Sequence, residues 1–301
     1  RAEPVEALTH TAPHTAPHTA LHAAAFTAAG MLSPIAELDN AGPAIARLGW
    51  RSLPLWQAIG AALGGDEPLV RVHGSLMLAH GSDRGAAQRV LARLGAVPDA
   101  PTPEALNTDA LRALEPAIAP GLLAWHLPGE GQVLPRETLV ALATQAPGVQ
   151  WHWGTRVDTV SPGRLLQDGG ATHAFDIAID TRGLGARPQV PLRGVRGELV
   201  WLHAPGVALQ RPLRLLHPRH RVYLVPRPGG RVVVGASEIE SEDRSPPSLR
   251  SVVELLSAAH SVLPELAEAR IEHLETNLRP ALPDNAPGVE PAPGLLRING
   301  L

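Results

Sequence analysis

Phe175-Asp176-Ile177-Ala178-Ile179-Asp180-Thr181-Arg182-Gly183-Leu184-Gly185 is the stretch whose reading decides the fold. A short apolar run that ends at a glycine-containing turn predicts a strand of the buried, parallel kind. On its C-terminal side the period changes. Residues 198–202, 222–226 and 231–235 are β-rich runs separated by Pro and Gly, which predicts an antiparallel sheet. On its N-terminal side, Ile45, Leu48, Leu53, Leu55, Ile59 and Leu63 recur at helical spacing and predict an amphipathic helix over 43–63. Pro43 suits the first helical position, and Pro54 is expected to break the helix. Strands are further expected at 71–79, 149–157 and 270–279, and helices at 84–94, 108–114, 137–144 and 249–263. The fold class is therefore α/β plus antiparallel β, with two domains interleaved in sequence.

Composition narrows the function classes. The 301 residues are 44% hydrophobic and 18% charged, with a formal net charge of -3. That is a globular balance with no field to attract nucleic acid or anionic lipid. All 26 basic residues are Arg. The absence of Cys excludes disulfides, thiolate metal sites and a cysteine nucleophile. No apolar run approaches the ~18 residues needed to cross a bilayer, and no signal peptide is visible, so a cytoplasmic protein without nucleic-acid or membrane partners is expected.

Two clusters invite a metal reading. His10, His14, His18 and His22 recur every fourth residue, but Pro13 and Pro17 forbid a regular helix there. Residues 1–22 are read as a flexible low-complexity segment. Glu238, Glu240, Glu242 and Asp243 are read as a charged, solvated loop, and no role is assigned to Glu238. His217 and His220 are read as solvated loop residues.

Several short segments, in order, carry a family resemblance. Ala28-Ala29-Gly30-Met31-Leu32-Ser33-Pro34-Ile35-Ala36-Glu37 resembles the flavin-proximal loop of glycine oxidases in the D-amino-acid-oxidase superfamily. Pro128-Gly129-Glu130-Gly131-Gln132-Val133-Leu134-Pro135-Arg136 is similar to the segment before a helix of the FAD domain. Asp176 to Asp180, followed by Thr181-Arg182-Gly183-Leu184-Gly185-Ala186-Arg187, is similar to the strand and glycine turn under the cofactor. Pro191-Leu192-Arg193-Gly194-Val195-Arg196-Gly197-Glu198, Tyr223-Leu224-Val225-Pro226-Arg227, Val234-Gly235-Ala236-Ser237-Glu238, and Leu278-Arg279-Pro280 with Asp284 and Pro287 complete the pattern.

The resemblance implies a Rossmann-like FAD-binding domain (23–65, 137–190 and 280–301) and a substrate domain on an antiparallel sheet (66–136 and 191–279). It also marks a departure. The family's opening strand–GxGxxG–helix unit is not in this sequence, so the FAD domain is read as incomplete. Arg1-Ala2-Glu3-Pro4 is similar to the family's segment just after that unit, and Asn299-Gly300-Leu301 to the start of the last flavin loop. Truncation at both ends is the expectation. Neither Glu3 nor Glu6 ends an apolar strand, and neither is assigned to the ribose.

The resemblance also implies roles for individual residues. Arg279 is expected to grip a substrate carboxylate, and Tyr223 to line the pocket and hydrogen-bond it. Ala24, Ala25, Ala29, Gly30, Met31, Val157, Gly183, Gly300 and Leu301 are expected along FAD. No residue is expected to act as a base, since hydride transfer from a neutral amine needs only a pocket that favours that form. The implied activity is oxidative deamination of a small amino acid or secondary amine, glycine- or sarcosine-like, to the imine. Molecular oxygen is the expected acceptor, with formation of peroxide, for thiamine thiazole synthesis; the family tends toward homo-oligomers. The alternatives are another flavoenzyme of the superfamily (a tRNA-modification flavin domain or an amino-acid dehydrogenase) or an inactive fragment.

Overall fold

The computed structural model describes residues 23–38, 42–97, 100–216 and 221–300. The histidine repeat, Glu3, Glu6, His217, His220 and Leu301 lie outside the described residues. Helix α1 (Ala24–Thr27), strand β1 (Met31–Leu32) and helices α2 (Pro34–Glu37) and α3 (Pro43–Leu63) come first. They are followed by β2 (Val70–Arg71), β3 (Ser75–Ala79), α4 (Arg84–Gly95), β4 (Glu104–Leu106), α5 (Thr108–Leu114), β5 (Leu123–Leu127), β6 (Gly131–Val133) and α6 (Pro135–Thr144). Next are β7 (Val157–Ser161), β8 (Arg164–Gln167), β9 (Thr172–Ala174) and β10 (Ala178–Asp180). The second half supplies β11 (Arg193–His203), β12 (Leu213–Leu216), β13 (Arg221–Arg227), β14 (Arg231–Gly235), α7 (Leu249–Val262), β15 (Arg270–Ala281), β16 (Gly288–Ala292) and β17 (Leu295–Asn299).

The largest sheet has eight strands in the order β15-β11-β14-β13-β12-β3-β5-β4. Its neighbours are antiparallel except β12 and β3, which run parallel. Alternate residues face opposite sides. Val200, Leu202, Val222, Leu224, Val232 and Val234 form one core with Leu255, Ala259 and Val262 of α7. Full burial of each such Val or Leu stabilises by about 1.5–3 kcal/mol. Leu199, Val225 and Val233 line the other face and meet Ala29 and Met31. A further core joins Ile35 and Ala36 of α2 to Ala46 of α3, Met77 and Ala79 of β3 and Val90 and Leu94 of α4. The small sheet β10-β17-β16 holds a parallel pair, β10 with β17.

Several expected elements are corrected. Helix α3 runs through Pro54 without a break. Pro54 is exposed, so it removes one intrahelical bond on the solvent side while Ala46 and Leu53 anchor the buried face. The expected strand 71–79 divides into β2 and β3, because the Gly74 N–H donates to the Glu130 carbonyl at 2.8 Å instead of extending a ladder. The strand expected over 149–157 begins only at Val157. A turn precedes it and leaves Trp151 and Trp153 stacked, ring centroids 4.9 Å apart. Residues 178–180 do form the predicted parallel strand, but not a buried one: Ile177 and Ile179 are 64% and 61% exposed. Strand β10 lies at a sheet edge and is covered on one side, where Ala178 packs with Val160 and Leu295.

Candidate active site

The loop between α1 and α2 rests on the eight-stranded sheet and is fastened at three points. Gly30 adopts φ 65, and a Cβ there would lie 2.8 Å from the Pro135 ring. Only glycine fits, and its carbonyl accepts the Val133 N–H at 2.8 Å. The Ala29 carbonyl accepts a short hydrogen bond from Arg227 of β13. Arg227 is buried, and burial holds its guanidinium down to about 10. The third fastening is Glu130, fully buried between β5 and β6. Its Oε1 accepts the backbone N–H groups of Ile35 (2.8 Å) and Ala36 (2.9 Å), and its Oε2 accepts the Ser75 hydroxyl at 2.5 Å. Burial pushes this carboxyl up to about 7, against the hydrogen bonds from Ser75 and Ala36.

Tyr223 lies beneath this loop. It shares an apolar cluster with Ala29, Met31, Leu199, Val225, Val233, Trp201 and Ala236. In the ladder it stands opposite Gly235, which stands opposite Leu199, which stands opposite Glu275. A Cβ on Gly235 would meet Leu199 and come within 2.7 Å of the Tyr223 ring, so glycine lets the phenol lie across β14. Burial pushes the phenol upward, and the O–H stays a donor at neutral pH.

Arg279 stands on the same face, four residues beyond Glu275 on β15 and opposite Val195. Its Nη2 donates to Glu238 Oε1 at 3.1 Å. Residues 236–238 connect the two regions: the chain leaves the ladder at Gly235, opposite Leu199, and returns at Ile239, opposite Arg196. Asn277 and Glu275, also on this face, tie down α1 and α6. Asn277 Nδ2 donates to Thr27 Oγ1 at 3.0 Å, while Arg136 bridges the Phe26 carbonyl (2.9 Å) and Glu275. Glu275 also accepts the Trp201 indole N–H at 2.8 Å.

Of the remaining expected cofactor residues, Gly183 and Gly300 follow the carboxyl ends of β10 and β17, and Val157 opens β7 beside them. Asp180, fully buried, takes both Nε and Nη2 of Arg182 at 2.9 Å. Burial works against its ionisation, but the Arg182 hydrogen bonds hold it below its ordinary value. Arg182 Nη1 in turn donates to the Val157 carbonyl at 3.0 Å. Asn299 Oδ1 accepts the Gly183 N–H at 2.9 Å, and Asn299 Nδ2 donates to the Asp180 carbonyl at 3.2 Å. Gly183 and Gly300 both have positive φ. Ala24 and Ala25 lie in α1, Ala24 half-buried and Ala25 exposed.

The structure thus brings Ala29, Met31 and Tyr223 into one cluster and Val157, Gly183 and Asn299 into one network, with Arg279 on the Tyr223 face. The acidic loop is arginine-paired: Glu240 with Arg193 (3.0 Å), Glu242 with Arg187 (2.8 Å) and Asp243 with Arg196 (3.3 Å). Among the described residues no group of three or more His, Cys, Asp or Glu could hold a metal ion. Glu130, Arg227, Arg136, Glu275 and Asn277 receive no role from sequence. Glu130, Arg136 and Arg227 lie inside the quoted motifs, but no spacing rule connects Glu130 to amides 94 and 95 positions away.

Comparison with known proteins shows the family of the chain. A family model described as DAO, FAD dependent oxidoreductase, matches residues 16–301. A Rhizobium etli protein whose name places it in thiamine biosynthesis as the oxidoreductase ThiO is 36% identical over 276 residues, 91% of this chain and 78% of its own. The crystal structure of glycine oxidase from Geobacillus kaustophilus matches with a TM-score of 0.78 and 27% identity, covering 92% of this chain and 79% of that one. Iminodiacetate oxidase from Chelativorans shares the fold at a TM-score of 0.76 and 24% identity, covering 92% and 80%.

FAD fits the residues present. The parallel pair ends at Gly183 and Gly300, both with positive φ, and Asn299 ties the two ends together through the Gly183 N–H, which lets backbone come close to a ligand there. The buried Gln132 amide, on the residue paired with Met31 in the ladder, has no hydrogen-bond partner among the described residues, which leaves its polar capacity unused by the protein. The chain belongs to the DAO family of FAD dependent oxidoreductases.

Proposed function

We propose that this protein oxidises a small amino acid or secondary amine, of glycine or sarcosine type, to the imine in the supply of the thiamine thiazole. The observation that carries the reading is the shared sheet face of Tyr223 and Arg279 beneath the loop of Ala29 and Met31. The names of the Rhizobium etli and Geobacillus kaustophilus relatives support it. FAD, when bound, supplies the two-electron acceptor, with molecular oxygen as final acceptor and peroxide as by-product.

Arg279 grips the substrate carboxylate through charge-assisted hydrogen bonds. The Tyr223 O–H donates to the same group, and its raised pKa keeps that donor in place. Ala29, Met31, Leu199 and Val225 present an apolar wall. Such a wall excludes water and favours the neutral amine, the form that can release hydride. Backbone of Ala24, Ala25, Ala29, Gly30, Met31, Val157, Gly183, Gly300 and Leu301 would hold FAD. In this reading residues 23–65, 137–190 and 280–301 are the FAD-binding part, 66–136 and 191–279 the substrate part, and the setting is cytoplasmic.

The test is anaerobic mixing. Glycine or sarcosine added to the FAD-loaded protein should bleach the visible flavin band, and readmitted air should yield peroxide. A band unchanged by either amine at millimolar concentration would reject the proposal.

A further inference from the structure

We propose that Glu238 is a specificity-determining residue that makes the site select zwitterionic amino acids over simple carboxylate anions. This rests on the reading of Arg279 as the carboxylate grip. Among the described residues, Glu238 is the ion-pair partner of that guanidinium, at 3.1 Å. The flanking cation Arg193 is already taken by Glu240 at 3.0 Å and by Asn285 at 2.7 Å. At the Arg279 end of the face, one guanidinium and one carboxylate therefore stand side by side.

An α-amino acid carries its own carboxylate and ammonium a few ångströms apart, the mirror of that pair. As it first binds at this exposed pair, before the amine gives up its proton against the apolar wall, its carboxylate can take Arg279 while its ammonium faces Glu238, and no like charges meet. A lone anion of the same size must place its carboxylate on Arg279 beside the Glu238 carboxylate, where repulsion weakens it. Arg279 and Glu238 are 38% and 63% exposed, so screening keeps the discrimination modest, about fivefold to tenfold. Residues 236–238 run directly from Gly235, under the Tyr223 ring, to this pair, which keeps Glu238 within the same site. The position is thus charged where an apolar side chain would leave anion and zwitterion undistinguished.

The experiment is titration calorimetry under nitrogen on the purified protein with its FAD already reduced, so that glycine binds without being oxidised, with acetate (an anion) and glycine (a zwitterion) as paired probes. Wild type should bind glycine more tightly than acetate. E238Q should shrink that ratio about fivefold or more, chiefly by tightening acetate. R279Q should weaken both probes. If R279Q weakens both but E238Q leaves the ratio unchanged, Glu238 does not select charge and the inference falls alone. If R279Q alters neither affinity, or wild type binds neither probe, the reading of Arg279 falls and takes the inference with it.

Discussion

The eight-stranded sheet and the small sheet of β10, β17 and β16 hold their parts of the molecule by different physics. The large sheet is covered on both faces, by α7 on one side and by Ala29 and Met31 on the other, so its geometry follows from apolar packing. The small sheet leaves Ile177 and Ile179 exposed and ends in a polar network of Asp180, Arg182 and Asn299. Packing tolerates substitutions that keep volume; a buried charged network tolerates almost none. The proposed substrate grip therefore stands on the robust region, and the turns proposed to lie along FAD on the brittle one.

That contrast can be broken experimentally. Asp180→Ala should have the largest effect, about 3–5 kcal/mol, because it leaves the mostly buried Arg182 without its partner. Chemical denaturation would read the loss, and an unchanged midpoint would refute the network's importance.

Glu130 gives the next effect, through pH. Its carboxyl, raised to about 7, binds its proton more tightly folded than unfolded. Stability is therefore highest below the unfolded value near 4.5 and falls as pH rises through about 7, by at most about 3 kcal/mol. Glu130→Gln keeps an acceptor for the Ile35 and Ala36 amides and should flatten that part of the profile, as thermal melts across pH 5–8 would show. A profile identical to wild type would contradict it.

Gly235→Ala probes the packed region and should cost about 1–3 kcal/mol as the Tyr223 ring and Leu199 are pushed aside. Arg250→Ala removes an exposed i,i+4 pair on α7 and should change stability by no more than about 0.5 kcal/mol.

The two regions are also unequally legible in sequence. The strands around Val200, Leu224 and Val233 show as β-rich runs because both faces are covered, so consecutive apolar and β-branched residues are buried. Residues 175–180 read as buried because apolar composition does not tell whether a second layer covers a strand, and β10 is covered on one side. The run 149–157 reads as extended because its Trp residues alternate, yet a turn stacks Trp151 on Trp153. Tyr223 and Arg279 come from resemblance, since nothing in the period marks either. The bonds that hold the site together leave no trace in the sequence: Glu130 to Ile35, Arg227 to Ala29 and Asn299 to Gly183 each join distant segments.

Central to the proposed function is Arg279, on the packed sheet face opposite Val195, as the proposed grip on a substrate carboxylate. Steady-state kinetics of Arg279→Ala with glycine tests that role most directly. Loss of charge-assisted hydrogen bonds predicts KM raised by about tenfold to hundredfold, more than kcat is lowered. An unchanged KM for glycine would contradict the claim.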